Sequence, residues 1–136
     1  MALGDKASHM DTGILELLIN RYISAYNAFD IDGMLGVLSQ DIRFENFSGG
    51  KLTHATTGIE EFRRLAEHSV TLFSERAQKI TSIQVGARIA TVTIAYRGVL
   101  AADMPDGPRA GSVIELQGTS EFSFTGGRIV KIVDRA

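Results

Sequence analysis

The 136-residue chain has no cysteine, which excludes disulfides, thiolate nucleophiles and cysteine-ligated zinc. No apolar run approaches the roughly 18 residues of a membrane span, and the opening MALGDKASHM lacks the apolar core of a secretory signal. The net charge is only −2 and no run of Lys or Arg occurs, so nothing marks a surface for nucleic acid or an anionic membrane. There is neither a dinucleotide fingerprint nor a phosphate loop, and the histidines have no ligand spacing with the acids, so neither a cofactor nor a metal is expected. These absences leave a small molecule or another protein as the expected partner and suit a cytoplasmic location. What is there is ordinary for one globular domain, with 44% hydrophobic and 22% charged residues over a length that supports a single core. Ser8-His9-Met10 resembles a vector junction, so residues 1–10 are expected to be tag-derived and 11–136 to form the domain.

The patterning divides the chain into helices first and strands later. Leu15, Leu18, Ile19, Tyr22, Ile23, Tyr26 and Phe29 recur at spacings of three and four, which predicts a helix from Asp11 to Phe29 with one buried stripe. Asp30 is positioned to cap a second helix, Ile31 to Ser39, with Met34, Leu35 and Leu38 inward. A strand over 41–47, a Gly49-Gly50 turn and a short strand from Leu52 to Ala55 make a hairpin. Thr57 followed by Glu60 reads as a capping box for a third helix with Ile59, Phe62, Leu65, Ala66, Ser69 and Phe73 on its inner stripe. Its other face, with Glu60, Glu61, Arg63, Arg64, Glu67 and His68, reads as solvated.

From Arg76 onward the period becomes two. Ala90, Val92, Ile94 and Tyr96 form one strand face, and Ile114, Leu116, Gly118, Ser120, Phe122 and Phe124 another. Between them lies MPDGPRAG at 104–111, whose two prolines suit a loop. Gly126-Gly127 then turns the chain into a last strand, Arg128 to Arg135. The order helix, helix, hairpin, helix, four strands predicts an α+β layer fold, a curved antiparallel sheet packed with three helices from the N-terminal half around a pocket. The opposite sheet face carries Thr, Ser, Ala and Gln rather than charge, which suggests a homodimer through that convex face.

One position interrupts the pattern. In DIRFENF the apolar face Ile42, Phe44 ends in Asn46, an amide that is either a structural tie or a ligand contact.

The segments NRYISAYNAFDIDGMLGVLSQDIRFENF, THATTGIEEFRRL and EFSFTGGRIVKIVD resemble the nuclear transport factor 2-like superfamily, in its ketosteroid isomerase and SnoaL-like branch. The resemblance spans about Asp11 to Asp134 and implies a cone-shaped sheet around a pocket. Ketosteroid isomerases combine a carboxylate base with an oxyanion hole made of a tyrosine and a protonated aspartic acid. By the resemblance the tyrosine falls on Tyr22, the base on Asn46 and the second acid on Ser120. An amide is no base near neutral pH, so ordinary ketosteroid isomerisation is not expected. Limonene epoxide hydrolase, whose ending is also similar, would place an aspartate at Asp134. There it would share a face with Val130 and Ile132, and on such a partly apolar wall an acid has its pKa raised by desolvation and can pass a proton. That enzyme's arginine-x-aspartate pair matches only in part, with Arg97 present and Val99 in place of the acid.

The candidates are therefore Asp134 and Tyr22 for catalysis, with Asn46, Tyr26, Phe44, His54, Phe62, Tyr96, Ser120 and Phe122 for substrate contact. Two classes of function stay open. One is general acid/base chemistry of isomerase, cyclase or hydrolase type on a small, largely apolar substrate, with Tyr22 and Asn46 as hydrogen-bond donors. The other is a non-catalytic ligand-binding or dimerisation module of the same fold.

Overall fold

The computed structural model describes residues 11–136, and the expected tag segment 1–10, with His9, lies outside them. Helix α1, Thr12–Asn27, opens on Asp11, whose carboxylate accepts from the Gly13 amide at 2.7 Å. The expected stripe is buried at Leu15, Leu18, Ile19, Tyr22 and Ile23. Phe29 adopts φ 58°, and the Asp30 amide donates back to Ala25 O at 2.8 Å, which reverses the chain after α1. Asp30 then caps α2, Ile31–Leu35, accepting from Gly33 N at 2.9 Å.

The second helix stops short of the expected Ser39. Gly36 is a poor helix former, and the next residues bond elsewhere: Val37 O accepts from Ile129 N, and Leu38 opens strand β1, Leu38–Ser48, opposite Ile129. Leu38 is still buried, but as a strand residue. Strand β2, Lys51–Thr57, follows a two-glycine turn with φ 58° and 81°, a backbone that only glycine adopts freely at both positions. The expected capping box is displaced. Thr57 ends β2, Gly58 is the N-cap of α3, Ile59–Val70, with no side-chain cap, and Glu61 rather than Glu60 reaches back to the Thr57 amide at 3.0 Å. Phe73 lies past the helix and opens β3, Phe73–Val85.

Strands β4, Ile89–Leu100, and β5, Val113–Thr125, carry the two inward faces read from the alternation, and β6, Arg128–Arg135, keeps its expected bounds. The six strands form one curved, unclosed sheet in the order β2-β1-β6-β5-β4-β3. All neighbours are antiparallel except β1 and β6, which run parallel. Among the described residues no helix is long and apolar enough to cross a membrane.

The core lies between α1 and the inner sheet face, built from Ala90, Val92 and Ile94 of β4, Phe122 and Phe124 of β5, and Ile129 and Ile132 of β6. A bulge in β6 makes this possible. Ser123 faces Lys131 but Phe124 faces Ile129, so Val130 is the extra residue and Ile129, not Val130, joins Ile132 in the core. Phe122, 1% exposed, packs edge-on against Tyr22 with ring centroids 5.9 Å apart. Phe122→Ala is expected to cost about 3–5 kcal/mol in urea denaturation, as a cavity-forming change under two layers. Leu52→Ala, at an exposed position of β2, is expected to change stability by no more than ~0.5 kcal/mol.

Candidate active site

Residues opposite each other on neighbouring strands point their side chains to the same face of the sheet. The register sets His54 of β2 opposite Asn46 of β1, Asn46 opposite Asp134 of β6, and Asp134 opposite Ser120 of β5. Four polar side chains from four strands thus form one row across the inner face. Below the row lie Phe44 and Ile132, opposite each other, and then Phe122.

The row lines a cavity of about 450 Å³ between the sheet, α1 and α3. Its walls are mostly apolar, which is the usual character of a small-molecule site. Every residue singled out from the sequence lines it except Phe122, which sits in the core beneath Tyr22. Arg97, by contrast, is exposed and opposite Glu115 and does not line the cavity, so the residue matched to the epoxide-hydrolase arginine takes no part in the site.

Within the row the Ser120 hydroxyl donates to Asp134 Oδ1 at 2.6 Å. Burial pushes the Asp134 carboxyl up to about 6, with the Ser120 hydrogen bond opposing the rise. Tyr22, 5% exposed on α1, faces the same cavity, and among the described residues its hydroxyl has no hydrogen-bond partner. Burial, and then the negative charge of Asp134, push that phenol far above its ordinary value, while Arg76 opposes them. Tyr22 therefore stays protonated at any physiological pH and keeps a hydroxyl hydrogen to donate. Phe62 holds Tyr22 and Phe44 in place, with ring centroids 6.5 Å and 5.7 Å away.

Asn46 is partly committed. A bulge leaves Thr53 unpaired between His54 and Leu52, and its hydroxyl accepts from Asn46 Nδ2 at 2.7 Å and donates to Asn46 O at 3.1 Å. One amide hydrogen is thus used in tying the hairpin, and the rest of the amide faces the cavity. His54 and His68 are exposed and stand at its edge, His68 although its helix face was read as wholly solvated. At the β3 and β4 side the Tyr26 and Tyr96 hydroxyls share a hydrogen bond of 3.0 Å. Burial raises both phenols, so both keep their protons.

The sequence reading missed Arg76. It stands where the period of two begins, yet it is 6% exposed and lines the cavity beside Tyr26. The available signal was its period-two spacing with Gln78 and Ile80, the latter packed against the core. Among the described residues no three His, Asp or Glu side chains gather to hold a metal.

With the fold and the cavity established, comparison assigns the class. Residues 19–132 match the family model of the SnoaL-like domain, and the chain belongs to that family. Solved structures of the nuclear transport factor 2-like fold agree. A proposed polyketide cyclase from Xanthomonas campestris pv. campestris superposes with a TM-score of 0.78 at 19% identity, over 92% of this chain and 91% of that one. A proposed hydroxylase from Streptomyces galilaeus gives 0.73 at 17%, over 91% and 89%. A protein with a ketosteroid isomerase-like fold from Catenulispora acidiphila, bound to trimethylamine, gives 0.71 at 11%, over 86% and 82%. No curated protein sequence matches the chain significantly.

The raised Asp134 value has a consequence for stability. The folded chain holds this proton more tightly than the unfolded one, whose carboxyl has the ordinary value of 3.8. The resulting stabilisation is complete below about pH 4 and is lost as pH rises through about 6. Asp134→Asn removes the ionisation while keeping the acceptor for Ser120. Its melting temperature is expected to match wild type near pH 4 and to exceed it at pH 8, by a stability gain on the order of 1–3 kcal/mol.

Proposed function

We propose that this protein is a cofactor-independent enzyme of isomerase or cyclase type, acting on a small, largely apolar carbonyl compound in the cavity. The observation that carries this reading is the Asp134 carboxyl, raised to about 6, on the same wall of an apolar cavity that the unpartnered Tyr22 hydroxyl faces. A proton carrier is most effective when it titrates near the working pH. Similarity to a proposed polyketide cyclase supports a substrate bearing carbonyl groups.

In this scheme the Asp134 carboxylate takes a proton from the carbon next to the substrate carbonyl. The electron pair of the broken C–H bond moves onto the carbonyl oxygen, which the Tyr22 hydroxyl stabilises by donating to it. Where a carbon–carbon double bond adjoins that carbon, the dienolate regains the proton from Asp134 at its far end, an isomerisation; otherwise the enolate carbon attacks a second carbonyl carbon, whose C=O π bond opens and whose oxygen takes the proton from Asp134, a ring closure. Ser120 holds one carboxylate oxygen and leaves the other for the proton. Asn46, an amide, orients substrate and takes no proton.

Deuterium exchange at the carbon next to the carbonyl of 2-tetralone, followed by proton NMR in heavy water, tests the first step without the natural substrate. Catalysed exchange is expected to rise with pH to a plateau above about 6, to fall roughly 10²- to 10⁴-fold in Asp134→Asn, and to fall roughly 10²- to 10³-fold in Tyr22→Phe. Exchange unchanged in Asp134→Asn would overturn the role of that residue. A ketone bound without any exchange by wild type would favour the non-catalytic module.

The middle of the outer sheet face, with Thr93 opposite Thr119 and Ala95 opposite Gln117, supports the expectation of a second copy packed there. Light scattering is then expected to give twice the chain mass of 14.7 kDa.

A further inference from the structure

Arg76 is a buried cation with no anion within ion-pair distance among the described residues. Its guanidinium lies 3.7 Å above the centroid of the Tyr26 ring and 4.5 Å from that of Phe29. Nε donates to Tyr26 O at 2.9 Å and Nη1 to Ser69 Oγ at 3.4 Å. Among the described residues Nη2 has no hydrogen-bond partner, and the ion pairs found, Arg63 with Asp32 and Lys131 with Glu45, do not involve it.

Such an arrangement is unusual because a guanidinium never gives up its charge, and buried charges are ordinarily paired. Carbonyl oxygens near the C-terminal end of α1 supply only a fraction of a negative charge. Asp134 is not its counter-ion: that carboxyl lies beyond ion-pair distance, and the influences on its ionisation are burial and Ser120, not a neighbouring cation. What remains open to Arg76 is the cavity that it lines with Ser69, Gln78 and Tyr96.

We infer that Arg76 is the binding site for a carboxylate group of the ligand, so that the cavity takes largely apolar molecules carrying one carboxylate. A guanidinium presents parallel N–H donors that match the two oxygens of a carboxylate, and stacking on Tyr26 fixes its plane. The ligand then spans the cavity, with its anion at the β3 end and its reacting carbonyl at the β6 end, beside Tyr22 and Asp134. Tyr22 lies within electrostatic reach of both Arg76 and Asp134, consistent with a place between the two ends. The inference rests on the cavity being the ligand site, as in the proposed function, but not on the chemistry proposed there.

The test is calorimetric titration of the full chain with 2-naphthoate and with its neutral isostere 2-naphthamide. Naphthoate is expected to bind roughly 10- to 100-fold more tightly, the size of one charge-assisted contact. Arg76→Met is expected to abolish that preference without weakening naphthamide, and Arg76→Lys to restore part of it. Asp134→Asn, which removes a negative charge from the same cavity, should keep or enlarge the preference, so a loss of exchange in that variant and a loss of preference in Arg76→Met are separate results. If Arg76→Met does not fold, Arg76→Lys decides: a preference that it leaves at the wild-type size would overturn the assignment to Arg76 and point to Arg135, which also lines the cavity. Naphthoate that fails to bind, or binds no more tightly than naphthamide, overturns the inference and leaves Arg76 as a clamp between α1 and β3.

Discussion

The parallel pairing of β1 with β6 is the constraint on which the rest of the structure depends. It joins a strand from the first third of the chain to the last one and thereby welds the β2-β1 hairpin onto the antiparallel sheet formed by β3 to β6. Without it, Asn46 and Asp134 would belong to separate sheets, and the polar row would not exist. The same pairing draws the chain out of α2 at Val37, since the carbonyl there bonds to Ile129 rather than continuing a helix. A helix boundary, a core position and a site residue therefore share one cause.

The cavity places polar groups where the fold would rather have apolar ones. Asp134 and Ser120 occupy consecutive places in a row whose neighbours are Phe44, Ile132 and Phe122. Burial there costs the folded state when the carboxyl ionises, and the same burial raises its titration to about 6. Stability and proton-carrying ability are thus opposite readings of one desolvation energy. Arg76 is a second instance, a permanent charge held by an aromatic face and carbonyl dipoles instead of an acid.

Much of the fold was legible because its signals are local. The stripe of α1 repeats at three and four, the faces of β4 and β5 at two, and the glycine pairs sit where left-handed turns are needed. The misreadings fall where distant partners decide. Leu38 looked helical by spacing but is claimed by β6; Phe73 extended a helical stripe but opens a strand; Val130 looked inward until the bulge displaced it. In the site, Tyr22, Asn46 and Asp134 stood out as polar residues on apolar faces. That they share a cavity follows from strand order and register, which no window of sequence contains. Arg76 was passed over because one charged residue at the start of a strand resembles a surface position, and its burial is decided by Tyr26, fifty residues earlier.

The β1-β6 pairing also bears on how the molecule assembles. Contacts between residues far apart in sequence must first overcome the entropy of closing the intervening loop, and they form late and slowly. The β3-β4-β5 meander joins strands that follow one another in the chain and can organise earlier. The cavity wall carrying Asp134 takes shape only when the last strand slots between β1 and β5. A partly folded chain would then expose two unpaired strand edges at the very place where the finished site lies, and β6 acts as the keystone that both closes them and completes the site.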